Sequence, residues 1–176
     1  LYPNMSDPIV LPGSPPVLPK ESTADDIAAL IKETSAIPIA VGSGTVNDIV
    51  KLAAHRSKRS YMVVATAASM DGYASSGASM LANGRKVTIP CPAPRAVFAY
   101  PWGLRSAPPD MTSAGYADLV GKVTAGADWI IADSMGVESI DREVWGMAQT
   151  HLATWISEPE LIHEGESDAI TKLFSG

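Results

Sequence analysis

A chain of 176 residues, 46% hydrophobic and 18% charged, is long enough for one ordinary domain or two small ones and too apolar to be disordered. Its formal net charge of −6 excludes a protein that holds nucleic acid or anionic membrane by bulk electrostatics. One cysteine, Cys91, excludes an internal disulfide framework and suits a reducing cytoplasm, and neither a signal peptide nor a long apolar span is legible. The chain starts at Leu1 rather than Met, as expected of part of a longer gene product.

Residues 1–20 hold six of the fourteen prolines, Pro3, Pro8, Pro12, Pro15, Pro16 and Pro19, so this segment reads as extended or turn-like. Only Pro8–Leu11 suits a short strand. Ser22 or Thr23 then caps a helix through Ile27, Leu30 and Ile31, with Asp25 and Asp26 in its first turn. Ile37–Val41 is an apolar run too short for a helix, the pattern of a buried strand in a parallel sheet. In Gly42-Ser43-Gly44-Thr45 two glycines suit a sharp turn with uncovered amides, and Ile49, Val50, Leu52 and Ala53 continue at helical spacing. Thr45 and Asp48 stand three residues apart, as in a capping box. Strand, turn and helix N-terminus together offer N–H groups and a positive dipole end to a phosphate. The same pattern also fits a plain strand-to-helix turn. The spacing G-x-G-T-x-x-D is neither the usual dinucleotide fingerprint nor a Walker loop.

The helix ends near His55–Arg59, where basic residues meet the negative end of its dipole. Tyr61–Ala65 reads as the next buried strand and completes a βαβ unit, which implies a parallel sheet. Thr66–Ser76 is small and polar and follows a strand's carboxyl end, where open α/β sheets place ligands. Its Asp71-Gly72 reads equally as a simple turn. Ser79–Leu81 and Lys86–Pro90 pair across Asn83-Gly84, and Ala96–Ala99 is another short strand. Pro108-Pro109 breaks the chain. Beyond it, Leu119, Val120, Val123, Ala127, Ile130 and Ile131 keep helical spacing. A second helix runs from Asp141 to Trp155 through Val144, Met147, Ala148 and Leu152, and a third begins near Ser167. The fold class is α/β, with a sheet region over 1–109 and a helical region over 110–176.

No Ser-His-Asp or Cys-His arrangement is present, and Cys91, set between prolines, reads as packed rather than nucleophilic. His55, His151 and His163 stand alone, without the spacing that puts two imidazoles on one helix face. His55 reads as a helix C-terminal residue and His151 as a surface one, while His163-Glu164 is a candidate contributor to a metal site. Asp118 lies among Ala114, Gly115, Ala117, Leu119, Val120 and Gly121. If buried there, its carboxylate needs a partner, a hydrogen bond or a metal; otherwise it caps or lies on an exposed helix face.

GSGTVNDI, ATAASMDGYASSGASML and SAGYADLVGK, in this order between Val41 and Asp128, resemble the glycerol-1-phosphate dehydrogenase family. That family belongs to the iron-type alcohol dehydrogenase and dehydroquinate synthase superfamily, and TAASMDGYAS sets it apart from dehydroquinate synthases. The resemblance implies a dehydroquinate synthase-like fold, incomplete at both ends: a Rossmann-like NAD(P)-binding region over 1–109, then the start of a helical metal and substrate domain over 110–176. By the same resemblance, Gly42, Ser43, Gly44, Thr45 and Val46 hold the pyrophosphate of NAD or NADP. Thr66 and Ser69 contact the cofactor nearer its nicotinamide, and Ser75 adds another contact. Asp71 binds substrate. Asp118 is catalytic, ligating a divalent metal (zinc, nickel or iron) and lying against the substrate. Lys122 keeps the family's Asp-x-x-x-Lys spacing without an assigned role.

The implied reaction is reversible hydride transfer between sn-glycerol 1-phosphate and dihydroxyacetone phosphate, a step in phospholipid metabolism. The metal polarises the substrate oxygen and the nicotinamide exchanges the hydride. The implied setting is a cytoplasmic homo-oligomer with a small phosphorylated polyol as substrate and no nucleic-acid or membrane partner. Other readings are a glycerol dehydrogenase or dehydroquinate synthase-like enzyme of the same superfamily, or a non-catalytic phosphate- or nucleotide-binding remnant. Family members also carry a βαβ segment before the equivalent of Pro8, and two histidine ligands that neither His151 nor His163 matches, one just past Leu173–Gly176. The resemblance therefore predicts one of three metal ligands, an exposed sheet edge, an unfinished helical face and no activity in the isolated chain.

Overall fold

Around the glycine turn the sequence forms the expected parallel βαβ unit: β1 (Ile39–Gly42), α2 (Gly44–Arg56) and β2 (Met62–Ala65), preceded by α1 (Glu21–Lys32). These elements belong to a computed structural model that describes residues 5–176; Leu1–Asn4, and with them Pro3 of the proline-rich opening, lie outside the described residues. Later strand β5 (Ala96–Phe98) pairs with β2, giving a three-stranded parallel sheet in the order β1-β2-β5. Ala40 pairs with Val63, and Val63 in turn with Val97, so one row of side chains runs across the sheet.

β3 (Gly77–Ala82) and β4 (Arg85–Pro90) form an antiparallel hairpin. Both turn residues take positive φ, 51° at Asn83 and 73° at Gly84, the primed turn that Asn-Gly favours. The hairpin's Ala78 and Met80 pack with Ala24, Ala28, Ile49, Leu52 and Cys91 in one core, between it and α1 and α2. A second core under the sheet holds Ala40, Val63, Ala65, Tyr61 and Tyr73.

From residue 101 the chain is helical: α3 (Pro101–Arg105), α4 (Pro109–Ser134), α5 (Arg142–Thr150), α6 (Leu152–Trp155), α7 (Pro159–His163) and α8 (Ser167–Ser175). Its core is built on Leu104, Leu119, Leu152, Ile162, Ile170 and Leu173, and it includes Ala68 from the loop after β2. Phe174 and Ala99 touch both this core and the one under the sheet, so that loop is held between the two regions.

Several local expectations give way to tertiary contacts. Pro8–Leu11 forms no strand. Ser22 and Thr23 lie inside α1, whose N-cap is Lys20. The reason is pairing: Leu81 donates its amide to Pro19 O at 2.7 Å and Lys20 bridges to Leu81, so the chain enters the helix directly from an extended segment. β1 is not buried. As the sheet's edge strand it buries only Ala40, with Ile39 44% and Val41 61% exposed. The single helix expected from Asp141 to Trp155 breaks at His151 (φ −104°, ψ −6°), which turns Leu152 into the core while α5 buries no residue. Asp141 caps α5, accepting from the amides of Glu143 and Val144 at 2.9 and 3.1 Å. Along α4 the apolar residues Val123, Ile130 and Ile131 face outward.

Candidate active site

β1 ends at Gly42, Ser43 occupies the N-cap with extended backbone, and α2 closes its first hydrogen bond from Asn47 N to Ser43 O at 3.0 Å. The amides of Gly44, Thr45 and Val46 precede that bond and have no acceptor within the helix. Neither Gly42 nor Gly44 takes a positive φ, so the glycines serve spacing rather than turning. A Cβ on Gly42 would lie 2.8 Å from the Val46 side chain, and one on Gly44 would lie 2.7 Å from Met70 Sδ. The capping box expected of Thr45 and Asp48 does not form. Asp48 is buried instead, with Asn47 Nδ2 at 3.4 Å as its hydrogen-bond donor. Burial pushes its carboxyl above the usual carboxylate range, against the pull of the neighbouring Lys51 ammonium.

Thr66 leaves β2 and donates its amide to Gly42 O at 3.1 Å, which fixes the start of the second loop beside the glycine turn. Ala67 and Ala68 are buried, and Tyr73 donates its hydroxyl to Ala67 O at 2.8 Å. Burial raises the Tyr73 phenol, with the nearby Ser69 side chain pulling the other way. Met70 packs against Gly44. The Asp71 amide donates to Asp118 Oδ2 at 3.0 Å, and the Asp71 carboxylate pairs with Lys122 one turn further along α4. Gly115 makes this approach possible: a Cβ there would sit 2.0 Å from Ala68 O. A cavity of about 170 Å³ opens between Met70, Asp71, Tyr73, Gly115 and Phe174.

The structure therefore joins the glycine turn, Thr66, Asp71 and Asp118 in one region through direct contacts, with Ser69 in the same loop beside Tyr73. Ser75 faces elsewhere: its hydroxyl donates to Gly72 O at 2.8 Å and lies 3.3 Å from Lys51 Nζ. Asp118 lies on an exposed helix face, the second of the two readings of its neighbourhood, and its Oδ2 accepts the Asp71 backbone amide. Among the described residues no three His, Cys, Asp or Glu side chains gather into a metal-binding group, so the His163-Glu164 pair belongs to none. A catalytic divalent metal generally takes three protein ligands, and the described residues do not assemble that set by themselves. Cys91 is buried and its thiol is raised by that burial, as a packed cysteine should be.

Two residues that shape this site were not singled out from sequence. Gly115 sits inside a helical pattern, where a glycine signals close backbone approach. Lys51 is a lysine within an apolar run, three residues after an aspartate, a spacing that puts the pair on one helix face.

Residues 15–108 match the sequence model of the iron-containing alcohol dehydrogenase family. The glycerol-1-phosphate dehydrogenase (NAD(P)+) of Bacillus subtilis (strain 168) is 39% identical over 129 residues, covering 73% of this chain and 33% of that protein. The protein of the same name from Geobacillus stearothermophilus is 35% identical over 151 residues, 86% of this chain and 35% of its own length. The crystal structure of a probable glycerol dehydrogenase from Sinorhizobium meliloti 1021 shares the fold with a TM-score of 0.73 at 18% identity, over 90% of this chain and 48% of that one. The chain thus spans about a third of these curated relatives.

Proposed function

Because the chain belongs to the iron-containing alcohol dehydrogenase family, we propose that it supplies the nucleotide-binding part of an NAD(P)-dependent oxidoreductase that interconverts sn-glycerol 1-phosphate and dihydroxyacetone phosphate. The observation that carries this reading is the hydrogen bond from the Asp71 amide to Asp118. It holds the loop beside the glycine turn against α4, so the turn, Asp71 and Asp118 belong to one continuous chain of contacts.

In this reading the amides of Gly44, Thr45 and Val46 receive the cofactor pyrophosphate, where free N–H groups and the helix dipole favour an anion, with Gly42 and Ser43 beside it. Thr66 and Ser69 lie toward the nicotinamide, and Ser75 adds a contact on the far side of the loop. The nicotinamide supplies or accepts the hydride. Asp71 accepts hydrogen bonds from the polyol hydroxyls, and its substrate shares the carboxylate with Lys122 or displaces it. Asp118 lies against the substrate and orients it through the Asp71 backbone. Asp118 would also hold a divalent metal, whether zinc, nickel or iron, and that metal when bound would polarise the substrate oxygen.

We further propose that residues 1–109 act as the cofactor-binding region and 110–176 as the start of the substrate region. The assembled enzyme is read as a cytoplasmic homo-oligomer. Among the described residues no helix is long and apolar enough to cross a membrane. The 176-residue chain by itself is expected to bind the cofactor without turning over.

Titration of the chain with NADH and NADPH, followed by tryptophan-to-nicotinamide energy transfer, tests the reading. Saturable binding that Gly44→Val abolishes is expected. Saturation-transfer NMR with NADH present should then show contact to dihydroxyacetone phosphate in preference to glycerol, lost in Asp71→Ala. A chain that binds neither nucleotide sinks the proposal.

A further inference from the structure

A lysine that is 1% exposed needs its charge accounted for, because an ammonium without partners is not tolerated in a core. Lys51 lies two turns into α2. Its Nζ lies within hydrogen-bond reach of three carbonyl oxygens, Ser75 at 2.9 Å, Gly77 at 3.0 Å and Gly72 at 3.2 Å, with Ser75 Oγ at 3.3 Å. Three donors thus meet three carbonyls. Asp48, one turn earlier, supplies the compensating charge, and burial lowers the lysine against that attraction.

The placement of those carbonyls has a consequence for the site. All three belong to the segment that begins one residue after Asp71. On the other side of Asp71, Met70 Sδ fills the space where Gly44 lacks a side chain. One rigid helix therefore holds the loop on both flanks of Asp71, at its first residue through Gly44 and at its eighth through Lys51. The two grips are roughly 10 Å apart along the helix axis. The N-terminus of the same helix offers the free amides of the glycine turn.

We propose that Lys51 is a positioning residue that couples the cofactor turn to Asp71, so that occupancy of the turn orders the substrate carboxylate. This rests on the placement of NAD(P) at Gly42–Val46 proposed above. Lys51 itself touches neither cofactor nor substrate.

The test compares amide hydrogen exchange in the wild-type chain and in Lys51→Met/Asp48→Asn, which removes the buried charges together, each with and without saturating NADH. Without nucleotide, the variant should exchange about tenfold faster at Asp71–Gly77 while Ala28 and Met80 amides keep their protection. In the wild type NADH should slow exchange at Asp71–Gly77 severalfold. The variant should bind NADH within about threefold of wild type yet lose that slowing. Equal slowing in both proteins overturns the proposal, as does a variant that loses protection throughout its core and so shows only a structural role. A second measurement needs no variant: the Lys51 side-chain ammonium resonance of the wild type should shift when NADH binds, and an unchanged signal counts equally against coupling. If NADH fails to bind the wild type, the cofactor assignment falls and coupling falls with it. The nucleotide-free comparison still reports whether Lys51 holds the loop.

Discussion

The backbone amide of Asp71 donates to Oδ2 of Asp118 at 3.0 Å, joining a loop at the end of the sheet to a helix 47 residues further along the chain. An aspartate amide and an aspartate carboxylate thus set the spacing between the two regions. The two carboxylates do not collide, because the side chain of Asp71 turns to Lys122.

That contact depends on Gly115, and a methyl group there should be far more damaging than one at Gly44. At Gly115 the new Cβ meets backbone, Ala68 O at 2.0 Å, which moves only if α4 moves. Gly115→Ala should cost about 2–3 kcal/mol by overpacking, read from urea unfolding. At Gly44 the obstacle is the end of a methionine side chain, so Gly44→Ala should stay within about 1 kcal/mol, helped by the better helix propensity of alanine.

Asp118→Ala should lose the hydrogen bond to the loop and about 1 kcal/mol of stability, while Asp118→Asn keeps an acceptor and should lose less than half of that. Exchange of the Asp71 amide is the direct readout. A wild-type exchange rate at that amide in Asp118→Ala would mean the bond has no weight.

The Asp71–Lys122 pair should contribute little to folding. Its side chains are 24% and 40% exposed, and exposed ion pairs are worth about 0–1 kcal/mol. Lys122→Met should therefore unfold within about 1 kcal/mol of wild type, with the difference shrinking as salt is added. A larger, salt-independent loss would point to packing by the lysine stem.

Alkaline pH should weaken the fold through groups whose titration burial delays. The Cys91 thiol is raised above its ordinary value of 9.0, and the Tyr61 and Tyr73 phenols above 10.0. In each case the folded protein keeps a proton that the unfolded chain gives up. Their contribution is complete below the unfolded values and is lost as pH rises through the folded ones. Lys51, lowered by burial, works in the opposite sense as pH approaches 10.5. Urea midpoints measured from pH 8 upward should fall beyond about pH 9, less steeply in Cys91→Ala. Native Cys91 should also react with a thiol reagent at least about a hundredfold more slowly than the unfolded chain.

What the sequence discloses here follows the range of the forces involved. The βαβ unit, the Asn83-Gly84 hairpin and α4 are written in local periodicity and turn chemistry, so their positions are legible to within a residue or two. The caps expected at Ser22 or Thr23 and at Thr45 with Asp48 fail because other interactions win: Pro19 pairs with the distant Leu81, and Asp48 is buried beside Asn47 and the charge of Lys51. α3 and α7 have five residues each, too few to show a period. The exposure of β1 follows from strand order, which no local pattern encodes, although the family motifs imply an exposed sheet edge of this kind. At the site, the motifs single out Asp71 and Asp118, but their contact follows from how closely a glycine lets α4 approach. Lys51 leaves only a weak trace, an aspartate and a lysine three residues apart.

The open flank of β1 has a practical side. Among the described residues this strand pairs with β2 alone, and Ile39 and Val41 lie uncovered beside the unpaired edge. Such an edge is a template on which another extended chain can add. Concentrated stocks of this chain should therefore drift toward larger species on storage, and light scattering before each titration would separate that slow loss of monomer from a true change in ligand affinity.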